Sequence, residues 1–162
     1  MPGKVESSQK GLTMIKSQLR KTATISITAK SWDEARYDEP EGQTALAQAD
    51  FTLGYDGDLV GESSVRMLVA YTEGDPAEPA SLVGDYVALE RVTGTLDGRS
   101  GSFVIEEHGR HEGGVARTSG RIVPGSATGD LAGLHAEIEY AAGAMSFEAR
   151  LSYAFAADPA VH

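Results

Sequence analysis

The chain has 162 residues, 41% of them hydrophobic and 23% charged, with 19 Gly, no Cys and a formal net charge of −10. That length buries a core as a single domain without a covalent staple, and 4 Phe, 6 Tyr and 1 Trp set it apart from a disordered acidic tail. Without Cys there are no disulfides, thiolate nucleophiles or cysteine-held zinc or iron–sulfur sites.

Charge is unevenly spread. Residues 1–21 carry Lys4, Lys10, Lys16, Arg20 and Lys21 against Glu6, a net of +4, which leaves nine basic and 23 acidic residues, a net of −14, for the rest. The segment reads as a basic N-terminal arm, flexible or capping, in which Leu12, Ile15 and Leu19 offer at most two helical turns. It has no apolar leader core, which points to the cytoplasm. Runs no longer than Met67 to Tyr71 are far short of the ~20 apolar residues of a membrane helix. The acidic body repels phosphate backbones and anionic lipids, so neither nucleic acid nor a membrane is an expected partner.

From Thr22 onward apolar residues alternate with period two between Gly-containing turns, the pattern of antiparallel strands. Thr22 to Lys30 is the first strand, with Ala23, Ile25, Ile27 and Ala29 on one face; Trp32 follows, and Asp33 to Gln43 reads as a polar loop. The second strand, Thr44 to Tyr55, ends at the Asp56-Gly57 turn. The third, Leu59 to Thr72, places small residues among the apolar ones of its inner face, which suggests a curved wall or space for a ligand. Then come Leu82 to Thr95, Gly101 to His108, Val115 to Val123, His135 to Ala141 and Met145 to Phe155, with a Gly-rich link from Pro124 to Gly133. Eight strands in sequence make an all-β up-and-down meander, and closure into an eight-stranded antiparallel barrel removes its edges. Such a barrel is either filled by side chains or holds one small ligand; a sandwich is the alternative. The domain runs over residues 22–157, with 158–162 as a tail.

Several stretches that invite chemistry read better as structure. Gly125, Gly129 and Gly133 precede a strand and offer no helix terminus to a phosphate. Ser100, between Gly98 and Gly101, lacks the setting of a nucleophile elbow. His108 and His111 point to opposite faces of a strand, and with His135 and His162 they form no metal-ligand set, so neither metal nor cofactor is expected. The carboxylates Glu90 and Glu107 are more informative. Glu90 shares a face with Tyr86, Ala88 and Val92, and Glu107 alternates with Phe103 and Ile105. On an inner wall their pKa values rise and suit acid–base work; otherwise Glu90 pairs with Arg66, Arg117 or Arg121, or faces water. Trp32, Phe51, Tyr55, Met67, Tyr71, Tyr86, Phe103, Phe147, Tyr153 and Phe155 serve a core or line a pocket with a few polar handles.

Ser31-Trp32-Asp33-Glu34, the block Ala88 through Phe103, and the stretches Val123-Pro124-Gly125-Ser126 and Gly129 through Leu134 resemble the bacterial family called domain of unknown function 3224, over roughly residues 22 to 155. The resemblance implies a closed barrel similar to allene oxide cyclase, and no established reaction. Against the family's usual pattern, Gly120 stands in place of a bulky Trp and Glu107 in place of a frequent His; loss of an indole from an inner wall would open ligand space. Barrels of this wider architecture include cofactor-free allene oxide and spirotetronate cyclases, which confine a flexible substrate and polarise it.

The expectation is therefore a cofactor-independent isomerase or cyclase acting on a hydrophobic small molecule in the lumen, such as a polyketide-type intermediate undergoing a [4+2] or related closure. Glu90, Glu107 and Tyr86 are the expected catalytic groups; Trp32, Phe51, Met67, Tyr71, Phe103, Gly120 and Tyr153 are the expected ligand contacts. The alternatives are a non-catalytic carrier with the same lumen and a barrel filled by its own side chains, with a homodimer through an outer wall compatible with each.

Overall fold

The computed structural model describes residue 19 and residues 21–156; the proposed arm, apart from Leu19 and Lys21, and the tail lie outside them. Eight strands, β1 (Lys21–Asp38), β2 (Ala45–Gly57), β3 (Leu59–Glu73), β4 (Val83–Leu96), β5 (Arg99–Glu112), β6 (Val115–Ile122), β7 (Leu134–Ala142) and β8 (Ser146–Phe155), form a closed antiparallel barrel in sequence order. β1 closes the barrel on β8 from Lys21↔Tyr153 to Thr28↔Ser146. No helix among the described residues is long and apolar enough to cross a membrane.

Strand β1 departs from the sequence expectation, since pairing continues to Asp38 where a loop from Asp33 to Gln43 is expected. Beyond Thr28 it outruns β8 and pairs with β2 alone, so its side chains stay wet and lose the apolar alternation that marks a strand. A bulge also falls at Lys30, between Ala29↔Leu53 and Ser31↔Thr52. One extra residue swaps the faces of everything after it, so Trp32, Glu34 and Arg36 sit opposite Phe51, Ala49 and Ala47, three inward positions of β2.

The two ends of the barrel are packed differently. At the end where β1 enters, Ile25, Ile27, Leu53, Val92, Phe103, Ile105, Leu131, Ile138 and Leu151 form a solid core. The Gly-rich link closes this end: a 3-10 turn (Gly129–Leu131) inserts Leu131, fully buried. Ser126 and Thr128 accept from the backbone N–H groups of Val104 and Ser102 along the part of β5 that β6 is too short to cover, which protects that edge. Lys21 is held to Asp97 at 2.8 Å here, so the chain enters remote from the open end. At that other end the inner wall is built from Ala47, Ala49, Met67, Val69 and Tyr86, and short side chains leave a hollow.

Candidate functional site

The open end holds a cavity of about 520 Å³, walled by Trp32, Phe51, Met67, Val69, Tyr71 and Phe147 and floored by Tyr86, Thr118 and Tyr140. That size suits a small organic ligand. A wider hollow of about 960 Å³ lies outside, over Leu68, Val87 and Leu89. Those residues are exposed and flanked by the ion pairs Arg66–Asp50 and Arg121–Glu106, so the hollow is outer surface, and the aromatic lumen, open at its rim, is the candidate site.

Beneath the floor, strand register and two glycines place the polar groups. Tyr86, Gly109, Thr118 and Tyr140 are successive cross-strand partners on β4 to β7. A Cβ on Gly109 would lie 2.3 Å from the Tyr86 hydroxyl oxygen. The bare strand therefore lets Tyr86 lie across it and hydrogen-bond Thr118 at 2.5 Å. One step deeper the row is Ala88, Glu107, Gly120 and Ile138, and a Cβ on Gly120 would lie 2.7 Å from Glu107 Cγ. Glu107 thus fills the space at Gly120 that the sequence reading assigned to a ligand. Tyr140 donates to Glu107 Oε2 at 2.9 Å, and Tyr55 donates to Glu90 Oε2.

Glu90 and Glu107 are both buried, and Oε1 of each has no donor among the described residues. The alternative of an ion pair for Glu90 does not hold among the described residues: Arg66 and Arg121 are engaged on the outer wall and Arg117 is exposed. Glu107 feels the Glu90 carboxyl, and one proton shared between the two would supply a donor to both open oxygens, as in other buried carboxyl pairs. Burial, and then the charge and hydrogen bond of Glu90, push the Glu107 carboxyl well above its ordinary range, against a smaller opposing effect of the Tyr140 hydroxyl. Burial and the same carboxyls likewise push Tyr55 and Tyr140 up. The two carboxyls lie in the buried interior beneath the cavity floor, and Tyr140, which lines the cavity, hydrogen-bonds one of them.

The mouth is shaped by the bulge. Trp32 stacks on Phe51 with centroids 4.2 Å apart and remains 52% exposed, so it forms a rim. Glu34 accepts from Tyr71 at 2.7 Å and from Trp32 Nε1 at 3.3 Å, and the Arg36 guanidinium lies 4.9 Å from the Tyr71 ring centroid.

Of the residues singled out in the sequence, Trp32, Phe51, Met67, Tyr71 and Tyr86 meet at the cavity, with Glu90 and Glu107 beneath it. Phe103 and Tyr153 do not join them; both pack in the solid half of the barrel, Tyr153 beside Lys21. Sequence reasoning missed Thr118 and Tyr140 as site residues. Tyr140 has the parity of the buried Ala136 and Ile138, a usable signal, whereas Thr118 is identifiable only through the register of β6. Glu34 and Arg36 were hidden by the bulge.

The family model described as "Protein of unknown function (DUF3224)" matches residues 23–155. The fold is similar to the crystal structure of a DUF3224-family protein of unknown function from Shewanella oneidensis MR-1, with a TM-score of 0.62 and 24% identity, covering 83% of this chain and 98% of that one. No curated protein matches the chain.

Proposed function

Because the chain belongs to the DUF3224 family, described only as of unknown function, we propose its role from the lumen itself: a cofactor-independent isomerase or cyclase for an apolar small molecule. One observation carries the reading, a buried carboxyl pair joined by the Tyr140 hydroxyl to an apolar cavity. A structural core has no use for two adjacent acidic groups, since burying them costs several kcal/mol unless they are fully satisfied. A ligand enclosed by Trp32, Phe51, Met67 and Tyr71 is shielded from water and held in a restricted set of conformers. The carboxyl pair gives up or receives a proton as a double bond migrates or a ring closes. No step requires an oxidant or an outside nucleophile.

Native mass spectrometry of the protein purified from its source organism tests the reading. The expected result is an apolar ligand that leaves on mild denaturation, and its conversion on incubation with fresh protein. Glu107→Gln should retain the ligand and lower turnover about 100-fold or more, the usual contribution of a positioned acid–base group. Tight retention with no conversion by the unaltered protein supports a carrier instead. Absence of any bound ligand, together with failure to bind apolar probes, removes both readings.

A further inference from the structure

The floor separates the cavity from the carboxyl pair by a string of three hydroxyls, and each brings one proton. Tyr140 commits its proton to Glu107 Oε2, and on the far side Tyr55 commits its own to Glu90. Tyr86 and Thr118 share one hydrogen bond, and Thr118 stands directly across from Tyr140 on the neighbouring strand. With one proton between two carboxyls, the far end of the string carries a negative charge in a dry interior. A charge at the far end favours the orientation in which Tyr86 donates to Thr118, Thr118 turns its own proton toward Tyr140, and Tyr140 donates to Glu107. Every proton then points away from the lumen, and a ligand reaching the floor meets oxygen lone pairs.

We infer that the lumen selects an apolar molecule bearing an acidic hydroxyl, a phenol or an enol, which donates its proton into the Tyr86 end of the string. The inference rests on the lumen being a ligand site, as proposed above, and adds the substrate class. An ether or ketone oxygen would face lone pairs across the floor, and a carboxylate would add a second negative charge beside the carboxyl pair. Phenols, with an ordinary pKa near 10, are far better proton donors than water or aliphatic alcohols. The transfer balances within the site. The ligand O–H bond breaks as the Tyr86 oxygen takes its proton; Tyr86, Thr118 and Tyr140 each pass their own proton onward; and the carboxyl pair goes from one proton to two. The negative charge moves from the pair to the ligand oxygen, which is the activation that a tautomerisation or ring closure needs.

Three probes of one shape test this on the full chain: 2-naphthol, 2-methoxynaphthalene and 2-naphthoate, titrated at neutral pH while following the emission of the single tryptophan, Trp32, at the cavity rim. The expected result is a preference of about tenfold or more for 2-naphthol over both others, as for one hydrogen bond to a charge-backed acceptor. Tyr86→Phe should abolish that preference while 2-methoxynaphthalene still binds as before, which reports an intact cavity. Thr118→Val, which removes the middle hydroxyl without changing the shape of the side chain, should abolish it too and decides the matter if Tyr86→Phe does not fold. Equal binding of the three probes, or a preference that survives in a folded variant, overturns the inference and leaves the lumen site standing. If no probe binds, the inference and the proposed function fall together.

Discussion

The buried carboxyl pair makes the stability of the barrel fall as pH rises, and Glu107→Gln should remove that dependence. Glu107 has an ordinary value of 4.5, and burial beside Glu90 holds it well above this in the folded chain. Between those two values the folded state retains a proton that the unfolded state has released. The stabilisation is therefore complete below about pH 4.5 and is lost as pH climbs toward the folded value. The slope for one retained proton is about 1.4 kcal/mol per pH unit, or roughly 2.7 kcal/mol between pH 5 and 7 if the pair keeps its proton throughout. In Glu107→Gln the side chain does not titrate, and its amide N–H permanently supplies the donor that Glu90 Oε1 lacks. Asp50 and Asp97, lowered by their hydrogen bonds to Arg66 and Lys21, lose stabilisation only as pH falls below the ordinary carboxylate range, and they do so in both proteins. Urea unfolding of the two proteins at pH 5, 6, 7 and 8 isolates the effect. The variant should gain on the wild type with each unit, by up to about 1.4 kcal/mol. A difference that stays flat across the series, or that shrinks as pH rises, would refute a proton held by the pair.

Other consequences are more local. Gly109→Ala forces a Cβ to within 2.4 Å of the Arg117 carbonyl as well as onto the Tyr86 hydroxyl. It should cost about 1–3 kcal/mol in urea unfolding, as overpacking does, and should weaken 2-naphthol quenching of Trp32 by displacing Tyr86. Ala116→Phe places a ring in the cavity from a half-buried wall position; quenching by all three naphthalene probes should disappear while the unfolding midpoint stays near that of wild type. Phe103→Ala, in the solid half, should cost about 3–5 kcal/mol and leave the probe ranking intact in the protein that remains folded, which would separate the stabilising end from the binding end.

The strands were legible because period-two alternation and the turns at Asp56-Gly57 and Asp97-Gly98 are local signals, and closure followed from the need to remove edges. What local pattern does not carry is register. The Lys30 bulge adds one residue among polar neighbours, where no apolar alternation exposes the change of face, and so the sequence pattern at Glu34 and Arg36 is that of a loop. Thr118 and Tyr140 are 22 residues apart in sequence and adjacent across β6 and β7, and only pairing brings them to Tyr86. Glu90 and Glu107 were readable because each interrupts an apolar face of its own strand, a conflict between local pattern and burial that tends to mark function.

The glycines show how a small residue should be interpreted in such a wall. Gly120 suggested empty space, yet in a closed barrel every inward position has lateral neighbours on two strands, and the longer of these lies down over any gap. Glu107 covers Gly120 and Tyr86 covers Gly109, so each glycine converts missing bulk into a side chain held flat against the wall. Real volume arises where neighbours across strands are short together, as Ala47 and Ala49 are with Val69 and Met67, and where β1 outruns β8 and the wall stops. A substitution that lengthens one glycine therefore acts first on the orientation of a polar group and only then on cavity volume. For the same reason Gly109 and Gly120 on adjacent strands set where the Tyr86 hydroxyl and the Glu107 carboxyl lie, the two ends of the string proposed to carry a proton from the cavity.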